Sequence, residues 1–318
     1  IQSQDGSIWL ASSSLDAGIQ HYHNNYWENT PLVKLGGNDI HTSLIETSDG
    51  TIWAAGMALH ARKNGRWKVY TPHQLPYPIP QMMLFESSDG ALWVGAQAQE
   101  VWRVDYATSR WRTYDKLNYQ CENTYGDKWF LSEEGRAIFQ SGTRWISYGP
   151  EDGLMSTPMG LFASRSGQLW AVGSHKGIAA TARFNTNKQQ WTLQTHPKVS
   201  WGIDARAVFQ DAQGNIWFGG CVDYEKDRGQ RGGLLKYTPA EFSPGKKAQW
   251  KHLSRPAPAF AYDIGQSDDG RLWFAAIELY VFENKKWSLF SFDLQSPAIP
   301  YFDVIYSTAK GDLWVGSW

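Results

Sequence analysis

Cysteine is scarce: the chain has only Cys121 and Cys221 in 318 residues. Two cysteines cannot staple a scaffold of this size, and they fall in different copies of the repeat described below, so no pairing is expected. Long apolar runs are missing too, and no stretch approaches the roughly 20 residues that cross a bilayer as a helix. Basic clusters are equally rare. Lysine and arginine total 30 against 31 acidic residues, for a formal net charge of -1. Nothing larger than the pairs Lys246-Lys247 and Lys285-Lys286 stands out, so nucleic acid is not an expected partner. Helical apolar periodicity is absent from every long stretch. No secretory leader is visible. The chain lacks an initiator methionine and opens inside a repeat, which reads as a piece of a longer protein.

Aromatic residues are plentiful, at 15% of the chain with 18 tryptophans. A glycine precedes a tryptophan by three positions in QDGSIW (ending at Trp9), SDGTIW (Trp53), SDGALW (Trp93) and TYGDKW (Trp129). The phrase continues in RSGQLW (Trp170), AQGNIW (Trp217), DDGRLW (Trp273) and AKGDLW (Trp314). A period of about 40–50 residues is that of propeller blades. A second tryptophan falls between these, at Trp27, Trp67, Trp111, Trp145, Trp191, Trp250 and Trp287. Only Trp102, Trp201 and Trp318 lie outside both registers. Most of the tryptophan is therefore structural by position.

Each period divides into four short β segments. In the second copy, strand a is expected over 40–46, strand b over 51–55, strand c over 58–62 and strand d over 67–70. Asp49-Gly50 and Asn64-Gly65 supply the turns, because these residues tolerate the positive φ of tight hairpins. A small residue stands two positions after most of the first-register tryptophans: Ala11, Ala55, Gly95, Gly219, Ala275, Gly316. The expectation is that the indole of one blade packs beside this residue in the next, where a large side chain would overpack.

The fold expected is all-β: a β-propeller of four-stranded antiparallel blades, a single domain over 1–318, with seven blades and eight as the alternative. The first copy lacks strand a, and 301–307 is the segment expected to supply it. Residues 311–318 are then surplus. They read as the start of a further, truncated blade or as a competitor for the first strand b.

The phrase D-x-x-G-x-[IL]-W-x-G at this period resembles the two-component regulator propeller repeat, found in the extracytoplasmic sensor region of bacterial hybrid histidine kinases and related regulators. SSDGALWVG (87–95), DAQGNIWFG (211–219) and KGDLWVG (310–316) carry the resemblance. The fourth copy departs from it, with Lys128 before the tryptophan and Leu131 at the small position. The resemblance implies a sensor module in a periplasmic or extracellular setting. Its motif residues are structural, so it implies no catalytic residues.

Catalytic signatures are absent from the sequence: it has no phosphate-binding glycine loop, no His-Glu-x-x-His and no nucleophile elbow. His21-x-His23 puts two imidazoles on one side of a strand, but a metal needs two further ligands. The sequence places none, so neither a metal nor a cofactor is expected. Binding is the more natural role. Strand a segments line a propeller's channel, and their starts carry His41, Trp201, Asp204 and Arg206. Tyr262, Asp263, Tyr301 and Asp303 follow, with Tyr77 and Tyr119 in comparable places. Aromatic and charged groups together can stack on a ring and hydrogen-bond its substituents. Asp204 and Arg206 can also simply pair. The insertion at 221–233 breaks the repeat and is a second place to look.

The function expected is a non-catalytic ligand-sensing or interaction propeller. Its partner would be a small molecule such as a saccharide, or a neighbouring protein domain. The alternatives are an enzyme on a propeller scaffold, of lyase or glycoside hydrolase type, and a pure protein-interaction platform.

Overall fold

Tight turns made by residues that accept a left-handed backbone cut each period into strands. Asn24 and Asn25 have φ of 49° and 64°, and Asn64 and Gly65 have 51° and 76°. Both central residues being positive gives the turn whose twist matches the flanking strands. In the computed structural model, residues 1–11, 18–30, 41–56, 59–70, 82–96, 100–108, 110–221, 231–243, 245–290, 301–308 and 311–317 are described.

The result is an all-β, seven-bladed propeller with mostly four-stranded antiparallel blades. A three-stranded sheet comes first: β1 (Ile8–Ala11), β2 (Ile19–His23) and β3 (Tyr26–Thr30). Six four-stranded sheets follow. They are β4 (His41–Glu46), β5 (Ile52–Gly56), β6 (Leu59–Lys63), β7 (Arg66–Tyr70); β8 (Met82–Ser87), β9 (Ala91–Ala96), β10 (Glu100–Asp105), β11 (Arg110–Asp115); and β12 (Leu117–Glu122), β13 (Lys128–Ser132), β14 (Ala137–Ser141), β15 (Arg144–Tyr148). The next three are β16 (Thr157–Ala163), β17 (Leu169–His175), β18 (Ile178–Asn185), β19 (Gln190–Thr195); β20 (Gly202–Gln210), β21 (Ile216–Cys221), β22 (Leu234–Thr238), β23 (Gln249–Leu253); and β24 (Asp263–Gln266), β25 (Leu272–Ala275), β26 (Leu279–Glu283), β27 (Lys286–Leu289). β28 (Phe302–Ser307) and β29 (Leu313–Ser317) pair with each other. The segment expected to complete the first blade thus takes the surplus segment as its partner. The chain divides into two compact units, Ile1–Glu134 with Gln140–Thr143, and Gly135–Phe139 with Arg144–Trp318.

The repeated phrase does more than turn the chain. Thr47 Oγ1 accepts the indole N–H of Trp53 at 3.1 Å and itself donates to Asp49 at 2.8 Å. Ser87 does the same for Trp93 (3.0 Å) and Ser267 for Trp273 (2.9 Å), while Asp211 Oδ2 takes the N–H of Trp217 at 2.8 Å. In these four copies the residue six positions before the tryptophan is thus its hydrogen-bond partner, and it lets a polar indole be buried.

The residue one position earlier ties neighbouring blades together. Glu46 accepts from the Gln4 amide (2.6 Å), Glu86 from Ser48 (2.9 Å) and Glu122 from Ser88 (2.9 Å). Gln210 accepts from Arg165 and Gln266 from Ala212, both at 2.7 Å. In each case a residue at or next to the end of an inner strand caps the turn of the preceding blade. The position carries Gln2, Ala163 and Ser307 in the remaining copies.

The packing between blades differs from expectation in one respect. Each indole meets the residue just after the next tryptophan: Trp93 against Phe130 (5.2 Å), Trp170 against Phe218 (5.8 Å), Trp217 against Phe274 (5.5 Å). The small residue two positions after the tryptophan accommodates the next inner strand instead. A Cβ on Gly219 would lie 2.6 Å from Ala207 Cβ and 2.9 Å from Ala261 O. At Gly95 the nearest atom would be Asn118 Oδ1 at 3.3 Å. The departure at Lys128 is also explained. Its stem is buried and its Nζ lies 3.3 Å from Asp89 of the preceding sheet, which Arg103 also pairs at 3.1 Å.

Candidate functional site

Inner strands carry a recurring irregularity near their starts. One extra residue bulges from β4 at Thr42, from β12 at Gln120, from β16 at Met159 and from β28 at Asp303. In β20 the bulge is larger. Ile203 pairs with Gly220 and Val208 with Phe218, so residues 204–207 stand opposite the single Gly219. Asp204 holds this loop by accepting the Arg206 amide at 2.9 Å.

The bulge presents Arg206 to its neighbours. Its Nη2 and Nε donate to Asp204 at 3.0 and 3.3 Å, and Nη1 donates to Asp303 Oδ1 at 3.1 Å. The guanidinium lies 5.6 Å from the Tyr262 ring centroid. Three of five N–H groups are engaged, which leaves two for a ligand. The bonds to Asp204 first of all hold the guanidinium in its charged form. Trp201 and Tyr301, each one residue before an inner strand, are 39% and 51% exposed. Burial pushes the nearby Cys221 thiol up to about 12, which makes it an inert neutral group. Neither Cys221 nor Cys121 forms a disulfide.

The other candidates fare differently. Asp263 is partly buried and its two oxygens accept the Ile264 and Ile305 amides, both at 2.8 Å. It clamps β24 to β28 rather than offering a free carboxylate. Burial pushes its pKa up to about 6, against the pull of those amides and of Arg206. Tyr119 is 2% exposed, stacked 5.1 Å from Trp93 and edge-on to Phe130 at 5.4 Å. It belongs to the core, because the register shift after it turns its ring into the blade. His41 opens β4 opposite Gly56, and nothing is described of its side chain. Tyr77 lies outside the described residues, as do 222–230 of the insertion. The end of the insertion is anchored, since the Gly233 amide donates to Ala259 O at 2.6 Å.

One residue was missed. Glu28 on β3 stands directly opposite His21 of β2, and its Oε2 lies 3.9 Å from His21 Nδ1 and 3.5 Å from His23 Nε2. The signal was in the sequence. A two-residue turn at Asn24-Asn25 pairs His23 with Tyr26, and counting back pairs His21 with Glu28.

No family model and no curated protein matches the chain. Solved structures do match in fold. The extracellular domain of a hybrid two component system from B. thetaiotaomicron is 16% identical with a TM-score of 0.63. That match covers 100% of this chain and 44% of the other, so this chain spans less than half its length. The Dos1 propeller is 10% identical (TM-score 0.64, covering 97% of this chain and 86% of that one). YCF48 bound to D1 peptide is 13% identical (TM-score 0.55, 91% and 90%). At these identities the likeness establishes the propeller fold. Within that class, the fold of this chain is similar to that extracellular domain.

Proposed function

We propose that this propeller is a non-catalytic ligand-sensing module, the extracytoplasmic sensor part of a bacterial signal-transduction protein. The observation that carries the reading is the group formed by Asp204, Arg206, Tyr262 and Asp303, with the exposed rings of Trp201 and Tyr301 at the starts of the same inner strands. Open aromatic faces beside a guanidinium braced by two carboxylates suit a neutral polyhydroxylated ligand, a saccharide above all. Ring faces stack on indole and phenol, while vicinal hydroxyls take paired hydrogen bonds from Arg206 and Asp303. The sensor assignment is further supported by the repeat phrase and by the similarity in fold to the extracellular domain of a hybrid two component system.

Thermal-shift titration against an oligosaccharide panel tests this, because a ligand that binds only the folded state raises the unfolding midpoint. A saccharide is expected to raise the midpoint of the wild type and to lose that effect in Arg206→Ala and Trp201→Ala. A panel without any shift counts against small-ligand sensing and favours an interaction platform. Cleavage of a saccharide during the titration would move the protein to the enzyme class.

A further inference from the structure

We propose that His21, His23 and Glu28 form a binding site for a divalent transition-metal ion of the zinc class, on the three-stranded sheet β1–β3. One donor atom from each of the three residues lies within 4.8 Å of the other two, and Glu28 Oε2 faces His21 Nδ1 and His23 Nε2. A zinc ion takes imidazole nitrogen and carboxylate oxygen at about 2.0–2.2 Å, so tetrahedral ligands stand roughly 3.4 Å apart. The separations of 3.5 and 3.9 Å to Glu28 are close to this, and small side-chain rotations close the remainder.

The second observation is His21 itself. It is 8% exposed, and neither ring nitrogen has a hydrogen-bond partner. A buried imidazole without a partner forfeits the hydration of both nitrogens, and such a group needs a reason. Its ring stacks on Trp9 at 3.8 Å and on His23 at 4.5 Å, which fixes its plane while Nδ1 lies toward Glu28. An ion bound there would satisfy Nδ1 and draw the two stacked imidazoles and the carboxylate into one unit.

Glu28 is exposed and His23 half-buried, so the ion is reached from solvent and a fourth position stays open to water or an incoming donor. Imidazole with one carboxylate suits Zn²⁺, Ni²⁺ or Cu²⁺ over Mg²⁺ or Ca²⁺, which prefer oxygen. His21 Nε2 lacks the hydrogen bond that usually orients a ligating histidine. Affinity is therefore expected to be modest, on the order of micromolar.

Isothermal titration of the chelator-stripped protein with ZnCl₂ is the test, with MgCl₂ as the control. One zinc per chain is expected, with no heat from magnesium at the same concentration. His23→Ala and Glu28→Gln change exposed or half-buried side chains, and each should weaken zinc binding at least tenfold. His175→Ala, which lies elsewhere, should leave it unchanged. Zinc binding that survives in His23→Ala and Glu28→Gln, or no stoichiometric binding in the wild type, overturns the proposal. Circular dichroism of each variant separates lost ligation from lost folding.

Discussion

Four side chains show how much a single residue decides. Ser87 accepts the indole N–H of Trp93, a ring only 2% exposed. Ser87→Ala strands that donor and should cost about 1–3 kcal/mol in urea unfolding. Ser164 occupies the same place before Trp170, yet its hydroxyl serves Ser166 and the Gln168 amide, and the Trp170 N–H is without a partner. Ser164→Ala should therefore cost less than Ser87→Ala. Asp263 is the third. Its carboxyl ionises near 3.8 when unfolded and at about 6 in the fold, because burial disfavours its charge. Between those values the folded state binds the extra proton, so its contribution is fully present below about pH 4 and is lost as pH rises through 6. Roughly 2–3 kcal/mol is at stake. Asp263→Asn should flatten the fall in stability over that window, as read from unfolding midpoints against pH. Asp49 works the other way. Burial opposes its ionisation, but bonds from Lys63, Thr47 and Thr51 prevail and hold it at about 2. Its contribution is present above the ordinary carboxylate range and disappears as pH falls through about 2.

At the scale of the element, the small position after most of the tryptophans and the Glu or Gln near the end of five inner strands set how blades meet. A Cβ at Gly219 meets the backbone oxygen of Ala261, which cannot move without shifting a strand. At Gly95 it meets the side chain of Asn118, which can rotate. Gly219→Ala should thus lower the thermal midpoint clearly, by about 1–3 kcal/mol of stability, and Gly95→Ala much less. Glu86 takes the Ser48 amide at 2.9 Å, the Ser48 hydroxyl at 2.7 Å and the Tyr106 hydroxyl at 2.6 Å. Hydrogen exchange at the Ser48 amide should speed up in Glu86→Ala, while the Thr47 amide, bonded to Thr51 O within its own turn, keeps its protection.

At the scale of the molecule, the five caps of this kind each join a sheet only to its neighbour, as in a nearest-neighbour chain. Glu46 and Glu122 cap turns in non-adjacent sheets. The double variant Glu46→Ala/Glu122→Ala should lose the sum of the two single losses to within about 0.5 kcal/mol in denaturant unfolding. Coupling beyond that would mean that strain passes through the intervening blade. The sequence by itself determined the repeat, the turns and the strands. In the second copy it placed strands at 40–46, 51–55, 58–62 and 67–70, against His41–Glu46, Ile52–Gly56, Leu59–Lys63 and Arg66–Tyr70 observed. It could do so because hairpins are written in local residues: a positive-φ pair, an alternating strand, a turn-holding hydroxyl. The Glu28–His21 register was legible for the same reason. Tertiary structure alone decided the rest. Arg206 meets Asp303, 97 positions away, because a bulge of residues 204–207 lifts it from its strand. Tyr119 and Asp263 turned inward because bulges and neighbouring amides, absent from any local pattern, fix where an inner-strand side chain points.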